Sequence, residues 1–263
     1  MKKYIYIFKT ELMSSMQYKF DILASFFGYF IHIFIFLNLW KYIYTSPDKL
    51  ISGYDMYQMI WYVIVTEYLW SLVGGRSQCK KISNDVKSGN ISYNISKPYS
   101  YINYALTSHL GSIIVKGIIY AFLGLLVGYT FLGKFPNLNI FTITLTIISS
   151  LLATIVSTLF ITFIGLFSFY IEDSTPFYWV YSKFTLIFGT IFPVEIFPKT
   201  IRKIISYSPV YAATYGPAKL FVDFSKEKLV EVFTIQIIYV LIAYLLCLLM
   251  YKRGVRKLNV NGG

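Results

Sequence analysis

The stretch from Asn139 to Tyr170 reads NIFTITLTIISSLLATIVSTLFITFIGLFSFY and contains no charged residue. An α-helix rises about 1.5 Å per residue, so roughly 20 apolar residues cross a hydrocarbon core of about 30 Å. This stretch is long enough to cross a bilayer. Because it is longer than one crossing requires, the helix must tilt or extend past the membrane. It therefore predicts a transmembrane helix and places the chain among integral membrane proteins.

The composition of the whole chain agrees with that class. Of 263 residues, 56% are hydrophobic, 20% are aromatic and only 14% are charged, and the mean hydropathy is +0.59. Soluble domains carry about 25% charged residues. The apolar residues fall in blocks that predict six spans, at about 21–44, 55–75, 103–132, 139–170, 177–193 and 229–251. We expect an all-α integral membrane protein in which residues 1–263 form a single transmembrane domain.

Residues 1–20 precede the first block and have a different pattern. Ile5, Phe8, Leu12 and Met16 recur at helical spacing, with polar residues between them. This pattern is typical of an amphipathic helix that lies in the membrane interface. A solvated lead-in to the first span is the alternative.

The basic residues predict the orientation. Lys and Arg cluster in the N-terminal stretch, in residues 76–100 and in the tail at 252–263, and six spans put all three on one side. The positive-inside rule makes that side the cytoplasm, so both termini are expected there, in a multi-pass protein of the cell membrane. This distribution of basic residues explains the net charge of +12, so the charge does not indicate a nucleic acid as a partner. Residues 195–228 conflict with the rule, because they are predicted outside yet contain six basic residues.

The segment that follows the fifth block is rich in proline yet stays apolar. It begins IFPVEIFPK, with Pro193, Glu195 and Pro198. Proline breaks helices, and irregular backbone at membrane depth persists only where protein or a cavity satisfies its polar groups. We predict short re-entrant or interfacial helices over residues 194–228 on the outer side. An ordinary external loop is the alternative.

Two features lie within the predicted spans. Glu67 and Lys116 are charged residues at similar predicted depth, and intramembrane charges usually face a partner or a cavity. They form either a neutralised pair between spans two and three or part of a substrate site. The third span also carries small residues at helical spacing, which allow another helix to approach closely: Gly117, Ala121, Gly124 and Gly128.

No pattern in the chain supports catalysis. GYTFLGKF, from Gly128 to Phe135, matches the start of a phosphate-binding loop, but Phe135 replaces the Ser or Thr that would bind magnesium. His32 and His109 stand alone, and Cys79 and Cys247 lie far apart in the sequence. We expect no catalytic residue, metal site or cofactor in this chain.

The longest polar stretch lies between spans two and three. Its first part, CKKISNDVKSG, predicts a short helix over residues 79–89, in which Ile82 and Val86 share a face and Gly89 ends the helix. Such a helix could seat its apolar face in a groove of a soluble partner. It could equally lie on anionic membrane lipid, held by its lysines: Lys80, Lys81 and Lys87.

This insert resembles the cytoplasmic loop of the ABC-2-type transporter permeases. The matching residues are Ile82, Asp85, Val86, Gly89, Ile91, Ser92, Tyr93, Ile95, Lys97 and Pro98, with Val86 and Ile95 in place of the usual Ile and Leu. The proline-rich segment after span five is similar to the family's segment between its last two spans. With the chain length and six spans, the resemblance covers nearly the whole sequence.

The resemblance implies a type V exporter-like plan. Two permease chains, identical or paralogous, would join two separate ATPase subunits that bind ATP and magnesium. A coupling helix would meet the ATPase through residues Lys80, Lys81, Ile82, Asp85, Val86 and Gly89, with Ile82 and Val86 as apolar anchors. The complex would be a bacterial exporter that moves an amphipathic, lipid-like, peptide or drug-like substrate outward. The alternatives are the energy-coupling membrane subunit of a vitamin importer and an ion-driven secondary transporter.

Overall fold

A computed structural model describes residues 2–44, 46, 49–136 and 139–261, with side chains as far as Lys257. These residues form helices and no β-strand. The first six helices are α1 (Lys2–Ser15), α2 (Lys19–Ile43), α3 (Met56–Val73), α4 (Arg76–Lys87), α5 (Asn90–Ile95) and α6 (Tyr101–Leu132). The remaining five are α7 (Ile140–Gly165), α8 (Thr175–Thr185), α9 (Lys199–Ser206), α10 (Gly216–Val222) and α11 (Lys226–Asn261).

Four helical segments are long and apolar enough to cross a membrane. They are α2, α6, α7 with the 3₁₀ turn that follows it, and residues Lys226–Lys257 of α11. Each of them contains one of the six predicted spans, so the all-α, membrane-capable fold is confirmed. The two other predicted spans correspond to α3, which has only 18 residues, and to α8 with its π-helical continuation at Leu186–Ile191.

Local sequence signals set several helix ends. Asp55 accepts a hydrogen bond from the backbone of Gln58, whose side chain accepts one in return, and this capping box starts α3. Gly74 and Gly133 follow α3 and α6 with φ angles of 46° and 67°. Only glycine adopts this left-handed conformation without strain, so both helices stop at these positions.

The packing brings distant parts of the chain to two opposite ends of the molecule. At the start of α3, Tyr54 contacts Glu195 through its hydroxyl. At the other end of α3 the chain enters α4, which packs against the end of α7. The last part of α11 reaches the same end, since a Cβ atom at Gly254 would meet the ring of Phe169. We call these the Glu195 end and the α4 end.

The N-terminal helix α1 lies at the α4 end, against α6. The approach is close, because a Cβ atom at Gly111 of α6 would lie 2.5 Å from the carbonyl oxygen of Phe8. Leu12 is half-buried on this helix, whereas Ile5 and Met16 are exposed. The predicted helix is therefore present. Some of its apolar residues are partly buried, and others are exposed.

The small residues of α6 lie along its contacts with α2 and α3. Gly128 packs on the ring of Trp61, Gly124 lies between Ile64 and the hydroxyl of Tyr29, and Gly117 faces Leu72. Ala121, the remaining member of the predicted stripe, is half-buried. The stripe thus brings α6 close to the central helix α3, most of whose residues are buried.

The segment between α8 and α11 consists of short helices. Pro193 follows the π-helical turn in extended backbone, Val194–Ile196 form one 3₁₀ turn, and α9 starts after Pro198. A second π-helical turn at Tyr211–Tyr215 leads into α10, and residues 210–218 are buried by the protein itself. Their irregular backbone is therefore surrounded by protein, as the physical argument from proline required.

Candidate functional site

The predicted coupling helix exists as α4, but its apolar face points into the permease. Ile82 is 1% exposed and Val86 is 7% exposed. Ile82 packs so closely on α7 that a Cβ atom at Gly165 would lie 2.9 Å from the Cβ of Ile82. The prediction that these two residues form apolar anchors for an ATPase is wrong in this structure, because they belong to the core between α4, α7 and α11.

The polar side of α4 faces outward instead. Its exposed residues are Arg76, Ser77, Lys80, Lys81, Asn84 and Lys87. Asp85 is partly buried and accepts a hydrogen bond of 2.8 Å from the hydroxyl of Tyr101. Lys81 donates to Glu11 of α1 at 3.2 Å and to Ser108 of α6 at 2.9 Å. Asp85 and Lys81 therefore hold α4 to its own chain, while Lys80 and Lys87 stay on the surface.

A second short helix, α5, follows at once and was missed from the sequence, which predicted only a return toward the membrane. Gly89 has a φ angle of 76° and separates α4 from α5. Ile91 is buried, whereas Tyr93 is 66% exposed and Ile95 is 40% exposed. The four-residue spacing of Ile91 and Ile95 was the available signal for a helix. The two helices together form a hairpin, residues 76–95, at the α4 end.

The two charged residues that the sequence placed within the spans do not pair with each other. The Oε1 atom of Glu67, which is fully buried, lies 2.8 Å from Nδ1 of His32 and accepts a hydrogen bond from Ser71 at 2.9 Å. Lys116 donates to Asp21 at 2.6 Å and to Ser25 at 3.1 Å. The predicted Glu67–Lys116 pair is therefore wrong in this structure.

The reason is a difference in depth along α2. Asp21 and His32, the two partners, both belong to α2. Eleven residues of helix separate them, or about 16 Å at 1.5 Å per residue. Gly117, next to Lys116, packs on Leu72 in the last turn of α3, and Lys116 reaches Asp21 in the first turn of α2. Glu67, in contrast, lies more than one turn before Leu72 in α3. His32 was set aside in the sequence as a lone histidine, although an ionisable residue inside a span is itself a signal.

Glu195 organises the other end of the molecule. Its Oε1 atom accepts hydrogen bonds from the hydroxyl of Tyr54 at 3.1 Å, from Lys219 at 3.0 Å and from the hydroxyl of Tyr215. Burial, and then the negative charge of Glu195, raise the pKa of the Tyr54 hydroxyl. Tyr54 therefore stays protonated and can donate to the carboxylate.

This arrangement accounts for part of the positive charge that the sequence left unexplained in residues 195–228. Lys219 pairs with Glu195 and also lies 3.3 Å from Asp223, and Lys228 pairs with the same aspartate. Burial opposes the ionisation of Asp223, but the two lysines outweigh it and lower its pKa. Arg202 donates to the carbonyl oxygens of Glu195 and Phe197. Three of the six basic residues are thus used to hold the segment together.

The described residues contain no group of three His, Cys, Asp or Glu side chains that could hold a metal ion. The sequence that starts like a phosphate-binding loop lies at the end of α6, where Gly128 packs on Trp61 within the helix. A phosphate-binding loop precedes a helix and points its backbone N–H groups at the ligand. Here the segment lies at the end of a helix instead of before one, since Gly133 follows the last residue of α6.

Comparison with known proteins agrees with the resemblance noted in the sequence. No curated protein matches the chain. Residues 27–262 match the family described as ABC-2 family transporter protein. The match begins within α2 and ends one residue after α11. It therefore includes the α4–α5 hairpin, Glu67, Lys116 and the Glu195 end. The chain therefore belongs to the ABC-2 family of transporter proteins.

Proposed function

We propose that this chain is the six-span permease subunit of an ABC exporter, and that its separate ATPase subunit docks on the α4–α5 hairpin. Membership of the family makes the chain the membrane component of an ABC transporter, which pairs with an ATP-binding-cassette ATPase and generally lacks an ATP site of its own. The further elements of the proposal are the six spans, their orientation, the docking surface and the outward direction.

Six spans are supported by the surroundings of the two shorter segments. α3 carries polar residues such as Thr66 and Glu67, but it is the central helix and meets protein on most sides. A buried span need not be apolar all round, because its polar groups are satisfied by neighbouring helices. α8 with its π-helical continuation runs from Thr175 to Ile191 and would complete the crossing toward the Glu195 end.

The arrangement of the two ends supports the orientation. α1, the α4–α5 hairpin and the last part of α11 share one end, and they contain the three basic clusters. We propose that this end faces the cytoplasm, with both termini, and that residues 194–228 lie on the outer side. The ion pairs around Glu195 and Asp223 reduce the free positive charge on the outer side and so weaken the conflict with the positive-inside rule.

The single observation that carries the docking site is the exposed apolar pair on α5. Tyr93 and Ile95 project at the α4 end, beside the exposed lysines of α4. Aromatic side chains are enriched among the residues that dominate binding energy at protein interfaces. An ATPase that seats Tyr93 in a pocket and meets Lys87 at the rim would use both parts of this surface.

The test is a double substitution on α5. Tyr93→Ala with Ile95→Ala should weaken association with the ATPase subunit of the transporter by about thirtyfold or more, since an aromatic anchor contributes about 2 kcal/mol or more. Co-purification of the ATPase and its rate of ATP hydrolysis in the complex measure this. Tyr207→Ala is the matched control, because Tyr207 is exposed to a similar degree but lies beyond α9, in the segment of the Glu195 end.

Three outcomes separate the possibilities. Loss of the ATPase in the α5 variant, with the control unchanged, supports docking on α5. Full retention of the ATPase and its activity would contradict it. Loss of the ATPase in a Lys80→Gln, Lys87→Gln variant but not in the α5 variant would favour the lipid-bound alternative, because a helix held on anionic lipid depends on its lysines, whereas rim lysines at a protein interface matter less than Tyr93.

The cargo and the assembly rest on the family resemblance. We propose outward transport of an amphipathic, lipid-like, peptide or drug-like substrate by two permease chains with two ATPase subunits. ATP and magnesium would then be bound by the ATPase, and this chain would need no cofactor. Vesicles that contain the purified complex test the direction, because an exporter accumulates substrate on the side opposite the ATPase.

A further inference from the structure

A cavity lies at the α4 end, where α2 begins. Its volume is about 680 Å³, within the range of about 300–1,000 Å³ found for small-molecule sites. The first turns of α2, the last turn of α1, the start of α4 and the middle of α6 surround it. The position combines a membrane-crossing helix, the proposed interfacial helix and the proposed docking hairpin around one space.

The lining of this cavity is rich in hydroxyl and charged groups and carries excess positive charge. Six serine side chains and three basic residues contribute to the wall, together with the carboxylates of Glu11 and Asp21. Both carboxylates are already paired, Asp21 with Lys116 and Glu11 with Lys81. With Lys81 included, four basic side chains face two carboxylates. Arg76 and Lys80 form no ion pair with any described residue.

One edge of the same cavity is apolar and leads along the membrane-facing side of α6. Val115 lines the cavity, and Ile119, Phe122 and Leu126 follow it at four- and three-residue spacing on the same helix face. Phe122 and Leu126 are exposed, and Ile119 is half-buried. A chamber that presents hydroxyl groups and two cations without an ion pair to any described residue, followed by an apolar strip, matches a molecule that has a phosphate at one end and hydrocarbon at the other.

We propose that this cavity holds the phosphate-bearing headgroup of a phospholipid, with Arg76 and Lys80 as its phosphate-binding residues and the strip on α6 as the track of an acyl chain. Guanidinium and ammonium groups form strong charge-assisted hydrogen bonds with phosphate oxygens, and the serine hydroxyls supply further donors. The inference rests on the proposed function in one respect, namely that the α4 end lies at a membrane surface. The lipid would join α1 and α2 to the start of α4.

The test measures lipid binding by the purified full chain in detergent, without the ATPase. Short-chain phosphatidylglycerol should raise the melting temperature in a saturable manner, whereas diacylglycerol with the same chains and glycerol 3-phosphate should not. Arg76→Gln with Lys80→Gln should raise the half-saturating phosphatidylglycerol concentration by about tenfold or more, because two charge-assisted contacts are lost. The matched control is Lys87→Gln with Lys97→Gln, which removes the same charge from the same loop outside the cavity and should change it by less than about twofold.

A second variant allows for the contact between Arg76 and the ring of Trp179, which the first variant also removes. Ser112→Trp fills the cavity from α6 without a change in charge, and it should abolish the stabilisation by phosphatidylglycerol. Equal lipid affinity in the cavity variants and the control would overturn the proposal. Equal stabilisation by glycerol 3-phosphate would also overturn it, in favour of a soluble phosphate compound. Because no ATPase is present, failure here leaves the docking proposal intact, and loss of docking leaves this result unaffected.

Discussion

Glu67 and Lys116 illustrate how a buried charge finds its partner. Each could have neutralised the other if spans two and three were aligned, yet both turn to α2. The Glu67–His32 contact is asymmetric, since the carboxylate is fully buried while the imidazole is 46% exposed. A buried charge left without a partner is strongly unfavourable, so the identity of the partner has consequences for stability.

We predict that Glu67 couples energetically to His32 and not to Lys116. In a double-mutant cycle, Glu67→Leu and His32→Phe should deviate from additivity by about 0.5 kcal/mol or more, because the two side chains are in contact. Glu67→Leu and Lys116→Met should add within about 0.5 kcal/mol, because they share no partner. The free energy of unfolding, from denaturant titration in detergent, measures both cycles. Clear coupling only in the second cycle would restore the pair predicted from sequence.

At the scale of elements, periodicity predicted which residues of a helix are buried but not what covers them. The spacing of Ile82 and Val86 correctly indicated one buried face on α4. A sequence cannot distinguish burial against a partner from burial against its own chain, because the hydrophobic effect is non-directional and rewards both. The close approach at Gly165 of α7 decides the matter in the structure. The sequence therefore placed the expected docking surface on the apolar face of α4, whereas we now propose it on the next short helix, α5.

The small-residue stripe of α6 was easier to interpret, because only small residues permit two helices to approach so closely. The stripe leads to a prediction that compares one of its glycines, Gly128, with a glycine of α2, Gly28. A Cβ atom at Gly128 would lie 2.3 Å from the ring of Trp61, whereas one at Gly28 of α2 meets nothing within 4 Å. Gly128→Ala should therefore lower the free energy of unfolding by about 1–3 kcal/mol through overpacking.

Gly28→Ala is the matched control for Gly128→Ala. It makes the same chemical change in an open position and should raise stability by about 0.5–1 kcal/mol, because alanine restricts the unfolded chain and favours helix. Thermal and denaturant unfolding in detergent should rank the two variants on opposite sides of the unmodified protein. If Gly128→Ala is as stable as Gly28→Ala, α6 does not press on Trp61 as described.

For the whole molecule, the sequence predicted the all-α membrane class, the four long apolar helices among its six predicted spans, and the grouping of the basic clusters at one end. Each of these properties depends on many residues together, so a wrong interpretation of one position changes the prediction little. The contacts around Glu195 were out of reach, because they join Tyr54 to residues more than a hundred positions away and depend on irregular backbone between α8 and α11. The two π-helical turns in that region follow no period that a sequence pattern reveals.

The orientation of the molecule gives the last prediction, on two lysines at opposite ends. Lys203 of α9 and Lys257 near the end of α11 are both exposed. In intact cells, a cysteine introduced by Lys203→Cys should react with a membrane-impermeant maleimide, and one introduced by Lys257→Cys should react only after permeabilisation. The native thiols provide a low background, because Cys79 and Cys247 are buried and burial raises the pKa of the Cys79 thiol, which keeps it in the unreactive protonated form.

The unmodified protein, labelled before and after permeabilisation, is the control for that background. Reaction at 203 alone in intact cells would mean that the Glu195 end is outside, that the tail at 257 is inside and that α11 crosses the membrane between them. Reaction at 257 alone would invert the molecule and remove the docking surface on α5 from the reach of ATP. Reaction at both positions in intact cells would place both of them outside, which requires an even number of crossings between them. α11 would then not cross the membrane, and the six-span arrangement would be wrong.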